Sequence, residues 1–201
     1  QGHAVPHKAQ MEQSFGMSFD HVTAYSDAPA QKANEGLNSH AYAMNNQVAF
    51  KSANPSPELV AHELTHRFVG GGVRLLDAQG REAIWFSEGF TVHLARRMLL
   101  ESGMVSPRDL LGDLRRTTGE GADGGEAACA EERRGRAEEY RQGARYAATV
   151  DAALQKKSGG KRGLPDLVRA LLDRAKREGT AAFPVADWRA LVVSELGAQA
   201  G

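Results

Sequence analysis

Asn54-Pro55-Ser56-Pro57-Glu58-Leu59-Val60-Ala61-His62-Glu63-Leu64-Thr65-His66-Arg67-Phe68-Val69, closed by Gly70-Gly71-Gly72, is the stretch on which the fold turns. Asn54 or Ser56 caps a helix whose first position is the following proline, and the glycines end it near Val69. Leu59, Leu64 and Phe68 supply its core-facing stripe. Residues four apart on a helix share a face, so His62 and His66 point at one place, where two imidazoles can hold one ion. Glu63, one residue past the first imidazole, is placed to act as general base toward water activated by that ion. From the composition, about 0.02 such motifs are expected by chance.

Zinc bound by two histidines needs a third protein ligand and an open position. The extended metzincin pattern would place a third histidine at Gly72 and a glycine at Val69, so it fails here. Asp77 and Glu88 remain. Glu88 sits in Trp85-Phe86-Ser87-Glu88-Gly89-Phe90, a segment so apolar that a carboxylate there needs a partner. A zinc ion is such a partner and so is a nearby arginine; Glu88 is the expected ligand and Asp77 its rival.

Around this motif the chain divides into an N-terminal lobe, residues 1–70, and a mainly helical lobe, residues 71–201. Together they form one catalytic unit of α+β class, zincin-like, with a small antiparallel or mixed sheet. Periodicity predicts a helix over His7–Met17, a strand over His21–Tyr25 and a helix from the Asp27 cap to Leu37. A hairpin joins Ala41–Met44 to Gln47–Lys51 through Asn45-Asn46. A loop to about Arg81, a helix over Ile84–Glu101 and another after Ser106-Pro107 follow. Gly119–Glu132 reads as a surface loop holding Cys129, and helices over Arg136–Lys157, Leu164–Glu178 and Asp187–Leu196 complete the chain.

The 201 residues carry 25 basic and 25 acidic side chains, so charge gives no reason to expect a nucleic-acid or membrane partner. With 41% hydrophobic residues a sizeable core is available, yet no apolar run reaches the roughly 18–20 residues of a membrane span. A single cysteine excludes an internal disulfide and a cysteine-based zinc cluster. No basic-then-apolar leader follows Gln1-Gly2, so an export signal is expected to be either lacking or already removed.

These residues resemble those of the gluzincins, zinc peptidases whose third ligand is a glutamate on a second helix. Residues 2–70 resemble the HExxH domain of unknown function associated with extracellular contractile injection systems. The matching features are Gly2, Pro6, Met11-Glu12, Phe15-Gly16, Val22, Tyr25-Ser26-Asp27 and Val60–His66. Residues 83–197 are similar to the glycyl aminopeptidase family and its relatives, through Ile84–Phe90, Tyr140-Arg141-Gln142-Gly143-Ala144 and Asp151 to Gly160. That resemblance implies an oxyanion-stabilising tyrosine at Tyr140, with Tyr146 as rival, although Gln142 stands where the family usually has lysine. It also sets Tyr42–Asn46 beside a segment whose glutamate holds the substrate amine. Asn45 occupies that position and cannot form the ion pair, so a hairpin turn is its plainer role. The strand after it, with Gln47, Val48 and Ala49, is expected to take an extended substrate by strand addition.

The resulting expectation is a metalloprotease with one Zn²⁺ per chain, held by His62, His66 and Glu88, with catalytic Glu63 and Tyr140. Its substrate is a peptide or protein. With no further domain expected to close the cleft, it leans toward endopeptidase rather than aminopeptidase. A non-catalytic zinc-binding component or cargo of an injection system is the rival from another class. His93 lies about 140° around its helix from Glu88 and is not expected to join the ion.

Overall fold

The computed structural model describes residues 1–109 and 127–197. Its element order mixes helices with short strands throughout, which is the α+β class expected. Two compact units can be traced: Gln1–Arg67 with Ala95–Asp113, and Phe68–Leu94 with Leu114–Gly201.

The first unit is built from α1 (Lys8–Phe15), β1 (Thr23–Tyr25), α2 (Ala28–Gly36), β2 (Ala41–Met44), β3 (Gln47–Phe50) and α3 (Pro57–Thr65). Its three strands lie in the order β1-β3-β2, parallel between β1 and β3 and antiparallel between β3 and β2, so the sheet is mixed. Asn45, at φ 55°, makes the left-handed turn that a two-residue hairpin requires. The Asp27 side chain accepts from Ala30 N at 3.4 Å, capping α2 as expected. Met11, Phe19, Ala24, Val48, Phe50, Val60, Ala61 and Leu64 close the core, joined by Ala95 and Leu99.

The inward stripe of α3 is therefore Val60, Ala61 and Leu64, whereas Leu59 and Phe68 are only half-buried. Leu64 thus keeps its expected place, while Val60 and Ala61 take the inward places expected of Leu59 and Phe68. The helix also stops at Thr65 rather than Val69, because Val69 leaves it to bridge Val73. Between the two candidate caps, Ser56 is the one used: its Oγ accepts from Leu59 N at 3.3 Å.

The second unit contains β4 (Arg74–Leu76), the first turns of α4 (Ile84–Glu101), α5 (Ala127–Ser158), α6 (Leu164–Glu178), β5 (Ala182–Pro184) and α7 (Val185–Leu196). β4 and β5 pair in parallel across more than a hundred residues of chain. Both are three residues long, too short for alternation to reveal, and β4 lies inside what reads as a loop. Phe86, Phe90 and Trp188, each fully buried, form an aromatic core with Trp85 and Tyr146. Here α5 begins at Ala127, so Cys129 and the run to Glu132 are helical rather than loop, in keeping with an Ala- and Glu-rich stretch of strong helix formers. Residues 119–126 of the expected loop lie outside the described residues. So does the helix after Ser106-Pro107 beyond Asp109; its start is a reciprocal cap between Ser106 and Asp109. Among the described residues no helix is long and apolar enough to cross a membrane.

Candidate metal centre

The histidine pair follows from the way α3 ends. His66 is the C-cap residue yet keeps helical angles, φ −58° and ψ −19°, and its N–H still donates to His62 O at 3.3 Å. The four-residue spacing is thereby preserved past the last hydrogen-bonded turn. Both imidazoles are half-buried, their rings stand at 88° with centroids 4.8 Å apart, and the two Nε2 atoms are 3.2 Å from each other.

Two nitrogens bound tetrahedrally to one zinc at about 2.05 Å are separated by about 3.3 Å. The observed Nε2 separation matches that edge. His62, His66 and Glu88 each offer one ligand atom, and these atoms all lie within 4.8 Å of one another. Two imidazoles and a carboxylate are a donor set used by catalytic zinc sites that keep a fourth position open. The residues present therefore fit a divalent ion of zinc's preferences. Glu63, between the two histidines in sequence, is buried at 5% exposure.

Asp77 has other work. Its Oδ1 accepts from the backbone N–H groups of Gln79 and Arg81 at 2.8 and 2.9 Å, and its Oδ2 accepts from Arg81 Nε at 2.9 Å. The Arg81 backbone N–H above all, with the guanidinium beside it, holds this carboxyl below the usual carboxylate range. Asp77 organises the turn before α4, and Glu88 is the carboxylate that accompanies the histidines.

Glu88 and the candidate tyrosines belong to one helix crossing. A Cβ built on Gly143 would stand 1.9 Å from Trp85 O, and one on Gly89 would stand 2.5 Å from Gly143 Cα. Only two glycines let α4 and α5 approach so closely. The crossing lies one residue past Glu88 on α4 and three past Tyr140 on α5. Tyr140 is half-buried. Tyr146 is packed against Trp85 and Phe90, and its hydroxyl accepts from Trp188 Nε1 at 3.2 Å, so it serves the aromatic core. Both glycines fall in segments already singled out, Ile84–Phe90 and Tyr140–Ala144, but their role in setting the crossing depends on a partner helix more than fifty residues away.

The substrate strand requires a correction. β3 is the central strand of its sheet, paired on both sides, and Val48 and Ala49 are buried. Gln47, Val48 and Ala49 cannot accept an added strand, because their backbone groups already serve β1 and β2. The outer strands are β1, whose Ala24 is already bridged by His3, and β2. Asn45 is exposed at the hairpin tip, where its carbonyl and the Asn46 side chain receive Arg67 Nη1 at 3.4 and 2.7 Å. It is a turn residue, and Arg67, unnoticed in the sequence, ties the hairpin to the end of α3.

His93 donates from Nε2 to Asp151 Oδ2 at 2.9 Å and so, as expected, stands apart from the ligand set.

Residues 4–69 match the family described as the eCIS core domain, an HExxH-type domain associated with contractile injection systems. The match takes in His62, Glu63 and His66 and stops short of Glu88. The chain matches no curated protein.

Proposed function

We propose that this protein is a zinc-dependent peptidase that cleaves within peptide chains. The observation that carries this reading is the 3.2 Å separation of His62 Nε2 and His66 Nε2, with a Glu88 ligand atom within 4.8 Å. His62, His66 and Glu88 would hold the ion. Zinc, when bound, supplies Lewis-acid polarisation and makes water acidic enough to attack near neutral pH. Glu63 takes the proton from that water at its carboxylate and returns it to the leaving amine. Tyr140 donates its phenol hydrogen to the oxyanion that develops on the scissile carbonyl.

Substrate is held extended along β2. Tyr42 and Met44 turn their backbone groups toward β3, as the Lys51 N to His40 O bond of 2.9 Å sets the alternation. The peptide groups of Ala41 and Ala43 then face outward and pair with an added strand. The hairpin tip is formed by Asn45 and Asn46, neutral amides that cannot pair with a free amine's charge, which supports internal cleavage over aminopeptidase action.

One experiment tests both points. Zinc-loaded protein, checked for one ion per chain, is offered a peptide with a free amine and its N-acetylated twin. Equal cleavage of both is expected, abolished in Glu63→Gln. Cleavage of the free-amine form alone assigns an aminopeptidase.

A second reading draws on the family match over residues 4–69: a non-catalytic zinc-binding component of a contractile injection system. It predicts bound zinc with no cleavage of either peptide or of a denatured protein pool.

A further inference from the structure

Asp151 is a carboxylate at 3% exposure, set among the buried side chains of Ala147, Val150, Leu154 and Leu164. Leaving such a group without hydrogen bonds is costly. Both of its oxygens are engaged: Oδ1 accepts from Leu164 N at 2.8 Å and Oδ2 from His93 Nε2 at 2.9 Å. One side chain on α5 thus grips the N-terminus of α6 and the middle of α4.

The grip matters for Glu88. At Gly89 the backbones of α4 and α5 touch directly, which sets how near the helices come. The glycine contact itself has no side chain to resist sliding or rotation; Trp85 and Phe90 packed on Tyr146 brace the crossing by non-directional contact, and a directional bond is left to His93 and Asp151. His93 lies four residues beyond Gly89, on the same stripe of α4, and five residues, about 7.5 Å along the axis, beyond Glu88. Its ring reaches a carboxylate that is itself pinned by a backbone N–H, so rotation of α4 would break a part-buried hydrogen bond.

We propose that His93 and Asp151 are positioning residues, which fix the rotation of α4 and hence the place at which Glu88 presents its carboxylate. This rests on the reading of Glu88 as a metal ligand.

The test is zinc affinity by chelator competition on the full chain, with the thermal midpoint of the metal-free protein measured alongside. His93→Ala is expected to weaken zinc binding about tenfold, as does losing groups that orient a ligand. His93→Gln, whose amide can still donate to Asp151, is expected to restore most of the loss. Made in a Glu88→Ala background, His93→Ala is expected to add no further weakening, because the ligand it positions has gone. Three results overturn the proposal: unchanged zinc affinity in a folded His93→Ala protein, no rescue by a folded His93→Gln, or an equal His93→Ala penalty with and without Glu88. If Glu88→Ala alone binds zinc like wild type, or wild type binds none, the ligand reading itself falls and takes the proposal with it.

Discussion

His62 and His66 face each other through Nε2 atoms 3.2 Å apart, with their rings nearly perpendicular. Two imidazole nitrogens at that distance could share one ion, and Glu63 is buried in the same turn of α3. If Glu63 handles protons and does not bind the metal, Glu63→Gln separates the two roles. Zinc content should stay at one per chain, while turnover of a peptide substrate falls by about a thousandfold. Metal analysis beside steady-state kinetics checks this; wild-type turnover in the variant would remove the general-base role.

Two carboxylates compete for the role of third ligand, and their variants decide between them. Asp77 is committed to Arg81 and the Gln79 backbone, whereas Glu88 accompanies the histidines. Glu88→Ala should weaken zinc binding more than about 100-fold, and Asp77→Asn should leave it within about twofold. Chelator competition reads both, and the reverse ranking would move the ligand role to Asp77.

The tyrosines should separate by kind of defect. Tyr140→Phe removes the proposed oxyanion donor and should lower kcat by about 100-fold with little change in KM or thermal midpoint. Tyr146→Phe leaves the Trp188 indole N–H without its acceptor, costing about 1–3 kcal/mol of stability. Denaturant melts and kinetics on the two variants test the pair together.

The histidine pair and Glu88 were legible because each is a local pattern: an i, i+4 spacing on a capped helix, and an acid in an apolar run. The hairpin was legible through Asn45-Asn46, and α6 as a span whose apolar residues Leu164, Leu167, Val168 and Leu171 recur at helical spacing. β4 and β5 escaped because each has meaning only through the other, and no local period marks a three-residue strand. The choice of β3 as the substrate strand failed for a related reason. Alternation identifies a strand but not its place in the sheet, and the parallel partner β1 lies before an intervening helix. The bonds of Arg67 to Asn46 and of His93 to Asp151 were invisible because they join residues 21 and 58 positions apart.

Acid should act on the turn before α4. Asp77 is held below its ordinary pKa chiefly by the Arg81 N–H, so its ionised form is favoured in the folded chain. A depressed carboxyl contributes stability above its unfolded pKa of about 3.9, and that contribution is lost as pH falls through the lower folded value. The thermal midpoint of wild type should therefore exceed that of Asp77→Asn by a constant margin above about pH 5, and the margin should shrink below about pH 4. A margin independent of pH would mean that the carboxylate charge contributes nothing there.

Gly143 offers the sharpest steric prediction. A methyl group there would sit 1.9 Å from Trp85 O, a backbone atom that cannot turn aside as a side-chain tip can. Gly143→Ala must therefore push α4 and α5 apart, at a cost of about 3 kcal/mol or more. Gly36, at the end of α2, has nothing within 4 Å of its built Cβ. There alanine should be neutral or add up to about 1 kcal/mol by restricting the unfolded chain. Paired denaturant melts read the contrast. Because the Gly143 crossing adjoins Glu88, its alanine variant should also lose zinc affinity, whereas Gly36→Ala should keep it. A Gly143→Ala protein with wild-type stability would show that the close approach of the two helices is not required.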